Sequence, residues 1–271
     1  MSRLALFDSL ISPAKRSTLR QGLTRWARGL DPINPSYRNF DAPIVLAGAA
    51  RGGTTLLANL VGAHPRITIF HERFTIGKDS YQDTFGSTVG TADLRQAFIR
   101  YLPHDLKQQN RRWGVKICTY HWQRADYDRF LRAFPRAQFV FVLRDGRDVL
   151  LSMLKRSKIF RTPEQCATRW LESVEVYDAL CQKLGGRMLS FHYETLTANP
   201  EAEVRTICEF LGEPFRPEML DPQTWPRVGS YEIAPVTADR VGKWKEQGLP
   251  ELPAELETRF KTTLRRLGYT E

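Results

Sequence analysis

Five short stretches of the chain are predominantly apolar, and longer segments of helical period lie between them. Ile44 to Ala47, Ile67 to Phe70, Trp113 to Cys118, Gln138 to Leu143 and Arg187 to Phe191 read as strands. The run 139–143 is apolar at every position, and not at alternate ones, as expected of a central parallel strand covered on both faces. Helices are predicted from Thr54, where Leu56, Leu57 and Leu60 recur at helical spacing, and over 92–101, 123–134, 163–184, 201–211 and 252–267. Residues 74–92 are polar and glycine-rich and read as a mobile loop at the mouth of a site, with Phe74, Tyr81 and Phe85 on it. Residues 213–238, rich in proline and aromatics, read as a wrap over the surface that lines an acceptor pocket. The expected architecture is α/β: a single P-loop-like domain, residues 41–271, with a central parallel sheet of about five strands flanked by helices. A helical extension and linker precede it, residues 1–40.

The chemistry is densest where the first strand meets the first helix. Gly48, Gly52 and Gly53 let backbone amides converge on an anion, and the helix that starts at Thr54 adds unpaired N–H groups and the positive end of its dipole. The nucleoside-triphosphate loop has the pattern G-x-x-x-x-G-K-[ST]. Gly48, Gly53 and Thr55 keep the spacing and the final hydroxyl, but Thr54 stands where the lysine belongs. The cation in the loop is Arg51. Such a loop is poorly equipped for a magnesium-bound triphosphate and better suited to a 5′-phosphate anhydride. A plain strand-to-helix turn is the simpler alternative.

The fourth strand runs directly into Arg144-Asp145-Gly146-Arg147-Asp148, with Ser152 two turns into the next helix. A guanidinium fork and a hydroxyl at that spacing can pinch a second phosphate. Lys116 lies inside an apolar run, so it either meets an anion at the strand end or snorkels from an edge strand. Glu72 follows the second strand, beyond whose carboxyl end a ligand would sit.

The chain has 271 residues and carries a formal charge of +10, from 40 Lys plus Arg against 30 Asp plus Glu. That excess favours anionic ligands or surfaces without naming one. Its basic residues are spread along the chain, and no nucleic-acid recognition motif is present. Cys118, Cys166, Cys181 and Cys208 have neither C-x-x-C nor zinc spacing, which implies reduced thiols. The first residues have no signal-peptide or membrane-span pattern, so the expectation is a cytoplasmic protein. Residues 1–30 set Arg3, Lys15, Arg16, Arg20, Arg25 and Arg28 against Asp8, with Leu19, Leu23, Trp26 and Leu30 roughly on one helical face. Packing on the domain is the favoured use of this segment, and peripheral contact with an anionic membrane the other.

Arg51-Gly52-Gly53-Thr54-Thr55, and Arg144 with Ser152 eight positions later, resemble the two signature segments of sulfotransferases that use 3′-phosphoadenosine 5′-phosphosulfate (PAPS). Arg240-Val241-Gly242-Lys243-Trp244-Lys245 is similar to the late G-x-W-K loop of the same family. The arginine in the first loop resembles the bacterial, tyrosylprotein and glycan-modifying branches. The resemblance implies that Arg51, Gly52, Gly53, Thr54 and Thr55 hold the 5′-phosphosulfate, and that Arg144 and Ser152 hold the 3′-phosphate. Arg240, Gly242 and Lys243 would close over it, with the choice between Arg240 and Lys243 as the phosphate contact left open. Tyr193, in a Y-E-x-L segment, would lie near the adenosine. Glu72, 21 residues beyond Arg51, matches the catalytic glutamate of the tyrosylprotein branch and would be the general base. Arg51 and Lys116 would stabilise the transferring group. Gly52 departs from the family's usual serine.

The implied activity is transfer of a sulfuryl group from PAPS to a hydroxyl or amine, on a glycan, peptide, lipid or small metabolite, leaving 3′-phosphoadenosine 5′-phosphate (PAP). No metal is required on this reading. The alternatives are a P-loop nucleotide kinase or NTPase, which Thr54 argues against, a nucleic-acid binder, and an inactive relative that still binds nucleotide. The acceptor is unidentified; the positive charge would suit an anionic one.

Overall fold

A computed structural model describes residues 41–71, 74–76, 80–83, 88–90, 112–120, 124–157, 159–226 and 236–270. The expected extension over 1–40, the helix over 92–101, Phe85, Glu72 and residues 227–235 of the expected wrap lie outside the described residues.

Five strands form one sheet: β1 (Ile44–Gly48), β2 (Ile67–His71), β6 (Arg112–Cys118), β7 (Gln138–Leu143) and β8 (Met188–His192), in the order β2-β6-β1-β7-β8. Every pairing is parallel. The continuous apolar run of 139–143 follows from this, because helices cover both faces. On one face Ile44, Leu46, Val140 and Val142 pack with Leu57 and Leu60 of α1 (Thr54–Gly62) and with Val204, Ile207 and Leu211 of a helix over Pro200–Leu211. Phe139 and Phe141, out of phase with Val140 and Val142, meet other rings. Phe139 packs against Tyr127 and Phe130 of α2 (Arg124–Ala133), and Phe141 against Tyr177.

The remaining helices are α3 (Gly146–Arg156), α4 (Pro163–Leu184), α5 (Tyr193–Ala198), α6 (Pro200–Leu211), α7 (Lys243–Gln247) and α8 (Ala254–Arg266). Helix α4 begins where Thr162 and Gln165 form a capping box, with Pro163 at the first helical position. A second core joins α3, α4 and α8 through Val149, Met153, Trp170, Val174, Phe260 and Leu264, with Trp170 and Phe260 ring centroids 4.9 Å apart.

Register decides where the site can form. Gly48 is level with Cys118 on one side and Val142 on the other, so β1, β6 and β7 end together. From β1 the chain crosses to β2, beyond β6; from β7 it crosses to β8 on the opposite side. The connections part between β1 and β7, and a parallel sheet opens a ligand crevice at such a point. Gly114 of β6 has no room for a side chain beside β1 and β2. A Cβ there would stand 2.5 Å from the Ile44 carbonyl oxygen and 2.8 Å from the Ile69 Cδ1.

Three expectations need correction. Residues 74–92 are not a loop throughout: β3 (Phe74–Ile76), β4 (Ser80–Asp83) and β5 (Thr88–Gly90) form a three-stranded antiparallel sheet. Strands of three or four residues hold too little alternation to stand out among glycine and aspartate, although Thr75-Ile76 and Thr88-Val89 are β-branched pairs. Residues 213–238 do not merely wrap the surface. A 3₁₀ turn at Pro217–Leu220 drives Met219 into the core beside Trp225, whose indole N–H donates to the Met219 carbonyl at 2.9 Å. Lys116 is not on an edge strand, because β6 lies between β2 and β1.

Candidate functional site

The loop after β1 is held by a tight turn, the Gly52 amide donating to the Ala49 carbonyl at 2.9 Å. Arg51 within it has φ 63°, a left-handed conformation uncommon outside glycine and concentrated at functional positions. Gly53 follows at φ 102° and precedes α1, whose N-terminus has no side-chain cap. Its first amides are thus left for another acceptor. Gly53 is required twice over, because a Cβ there would lie 2.4 Å from Cδ2 of Tyr193. Thr54 turns its hydroxyl toward Cys118, 3.6 Å from the Sγ, so the position that carries lysine in triphosphate loops offers no cation.

Arg144 leaves the end of β7 with its guanidinium 4.3 Å above the Tyr193 ring. Its Nη1 donates to the Arg51 carbonyl at 3.2 Å, and its Nη2 to the Arg240 carbonyl. Trp170 fixes the backbone beneath, donating its indole N–H to the Arg144 carbonyl at 3.1 Å. From α3, Ser152 reaches back to the loop, its Oγ 3.4 Å from the Arg51 Nε. The loop after β1 and the segment after β7 therefore touch, side chain to side chain and side chain to backbone. Among the described residues the buried Nε of Arg144 has no hydrogen-bond partner. A guanidinium with a donor to spare, beside an uncapped helix start and a second guanidinium, is a fitting donor set for an anion with two phosphoryl ends.

The structure thus gathers Arg51, Gly52, Gly53, Thr54, Thr55, Arg144, Ser152, Tyr193 and the backbone of Arg240 along one edge of the sheet. Gly242 joins them through Asp148, which accepts its amide at 2.7 Å. Lys243 spends its ammonium on Glu246, 3.0 Å away within α7. Lys116 is buried, its Cα level with Leu46 of β1 and His71 of β2, two residues before the strand ends. Glu72 lies outside the described residues.

Sequence reasoning missed the carboxylates that brace this edge. Asp145 caps α3 and grips Arg147 through two oxygens, at 3.0 and 2.8 Å, and Arg147 also donates to the Thr270 carbonyl at 2.7 Å. Glu194 accepts the Asp145 amide at 3.0 Å and the Tyr269 hydroxyl at 3.3 Å. Burial pushes the Glu194 carboxyl above its ordinary range, although the Asp145 amide and Arg144 pull it down. Burial likewise raises the Tyr269 phenol, with Glu194 beside it. The available signal was the density of charge in Arg144-Asp145-Gly146-Arg147-Asp148 directly after an apolar strand.

These features define a phosphate-loop α/β protein whose loop cation is arginine and whose loop touches a second basic segment, Arg144 with Ser152. Residues 43–217 match the model of the Sulfotransferase family, and the chain belongs to that family. It is 25% identical over 274 residues to protein-tyrosine sulfotransferase 1 of Danio rerio, covering 89% of this chain and 76% of that one. Protein-tyrosine sulfotransferase A of Caenorhabditis elegans is 24% identical, with 86% and 68% covered. Among solved structures, the sulfotransferase domain of the Synechococcus PCC 7002 olefin synthase superposes with a TM-score of 0.64 at 20% identity, over 89% of this chain and 98% of that one. A mouse sulfotransferase complexed with PAP gives a TM-score of 0.52 at 15% identity, with 83% and 85% covered. The protein is a sulfotransferase, and the kinase alternative is not favoured.

Proposed function

We propose that the protein transfers a sulfuryl group from PAPS to an acceptor hydroxyl, with the phenol of a peptide tyrosine as the first acceptor to test. The observation that carries the donor assignment is the meeting of Arg51, Ser152 and Arg144 in one cluster, with the Arg144 Nε still to be satisfied. The acceptor assignment draws support from relatives named protein-tyrosine sulfotransferases and from the +10 charge, which suits an acidic peptide.

On this reading the α1 N-terminus and Gly52 to Thr55 cradle the 5′-phosphosulfate, while Arg144 and Ser152 take the 3′-phosphate. PAPS supplies an activated sulfuryl group: an acceptor O–S bond forms as the S–O bond to the 5′-phosphate breaks, and PAP leaves. Glu72, assigned by family resemblance alone, accepts the acceptor proton. Arg51 and Lys116 neutralise charge on the sulfuryl oxygens and the departing phosphate, work that preorganised cations do without rearranging. Because the cations come from the protein, the reading calls for no metal. A reducing, cytoplasmic setting belongs to the same proposal, supported by Cys118, Cys166, Cys181 and Cys208, none of which is in a disulfide. No helix among the described residues is long and apolar enough to cross a membrane. The test is calorimetric titration: PAP binds in the presence of a chelator, and magnesium-ATP binds far more weakly. Preference for magnesium-ATP would remove the donor assignment.

A further inference from the structure

Helix α3 does more than present Ser152. Its residue Asp148 is 2% exposed and sends both carboxylate oxygens to the segment 240–244. Oδ2 accepts the Gly242 amide at 2.7 Å, and Oδ1 the Trp244 amide at 3.1 Å. Oδ2 also stands 3.8 Å from the Arg144 Nη2, which in turn donates to the Arg240 carbonyl. One residue before Asp148, the Arg147 guanidinium lies 3.7 Å from the centre of the Trp244 ring. Helix α7 is five residues long, begins after a left-handed Gly242, and its N-cap provides no side-chain hydrogen bond. So short a helix has no stability of its own and takes its place from what holds its first amides. Those amides are held from α3.

We propose that Asp148 is a positioning residue for the sulfuryl donor. It fastens the late loop to the helix that carries Ser152 and fixes the aim of Arg144, so that a 3′-phosphorylated adenosine is preferred over one without that phosphate. The proposal rests on the donor reading given above. Chemistry makes the role specific to a carboxylate. Asparagine has the same shape, but its NH₂ group would face a backbone N–H, donor against donor, and Arg144 would lose its buried counter-charge. Hydrogen bonds to ionised groups are the stronger kind, and losing one while stranding its partner is costly.

The test compares PAP with adenosine 5′-phosphate, which lacks the 3′-phosphate, on the full chain and on Asp148→Asn. The wild-type protein favours PAP. The variant should bind PAP about 10- to 100-fold more weakly, the loss expected for a charge-assisted bond, and raise the donor KM while leaving the acceptor KM alone. Adenosine 5′-phosphate binding should stay within about twofold. Unchanged PAP affinity, or equal weakening of both nucleotides, overturns the role of Asp148. A wild-type protein that does not distinguish the nucleotides overturns the donor reading, and the role of Asp148 with it. Should Asp148→Asn not fold, hydrogen exchange on the wild-type PAP complex decides. The Gly242 and Trp244 amides are expected to be protected, and exchange at the rate of an unstructured peptide refutes the latch.

Discussion

Replacing Gly53 with alanine tests the geometry on which the proposed anion site depends. Two costs add. At φ 102° an L-residue is strained by about 1–3 kcal/mol. The new methyl would also stand 2.4 Å from the Tyr193 Cδ2 and 3.0 Å from its Cε2. Tyr193 is buried and carries the Arg144 guanidinium on its face, so the ring has little room to yield, and overpacking of this kind costs about 1–3 kcal/mol. The sum, roughly 2–6 kcal/mol, is a large part of the 5–15 kcal/mol that folded domains typically possess. For a chain of this size it corresponds to a fall in Tm of about 5–20 °C. Thermal unfolding by circular dichroism reads it, and PAP affinity should fall alongside as Arg144 shifts. A double-mutant cycle separates the two costs. In a Tyr193→Ala background the clash is gone and the backbone strain of about 1–3 kcal/mol is what remains. A Gly53→Ala variant within about 0.5 kcal/mol of wild type, the scale of an ordinary surface change, would refute the reasoning outright. Equal costs in both backgrounds would refute the contact with Tyr193.

Other outcomes follow from the same structure. Glu72→Gln should keep PAP affinity and lose about 10²-fold or more in kcat, the scale of a lost general base; near-normal turnover would release Glu72 from that role. His64, in the Ala-His-Pro turn after α1, accepts the Arg66 amide at Nδ1 at 3.1 Å, and its Nε2 lies 3.0 Å from the Pro214 carbonyl, so a neutral ring with the proton on Nε2 satisfies both. Burial pushes His64 below the usual imidazole range, against the raising effect of the Pro214 carbonyl. The unfolded chain then takes up a proton that the folded one resists, so this contribution to stability is complete above the ordinary histidine pKa and is lost as pH falls from there through the lowered folded value. A urea midpoint that does not drop between about pH 7.5 and 5.5, around that ordinary value, or an imidazole that titrates at or above its usual position by NMR, contradicts this.

How much was legible follows from how each feature is encoded. Helix α4 was readable to the residue, Pro163 to Leu184, because a local capping box and a proline mark its start. Strand β7 was equally plain, since a strand covered on both faces must be apolar throughout. Strands β3 to β5 were not, being too short to show a period. The partners of the carboxylate braces were not legible for another reason: Asp148 meets Gly242 across 94 residues and Glu194 meets Asp145 across 49. No spacing rule connects positions so far apart.

The order of residues along this chain determined its parallel sheet, its lysine-free phosphate loop and its family, because each is written in a local run of glycines, apolar side chains or charges. Folding decided the rest. The level ends of β1 and β7 brought Arg51 against Ser152 and Arg144, the packing of Tyr193 under Gly53 excluded every side chain there, and a buried aspartate on α3 took hold of a loop far along the chain. These are matters of distance between remote segments, which only the closed sheet and its packed helices set.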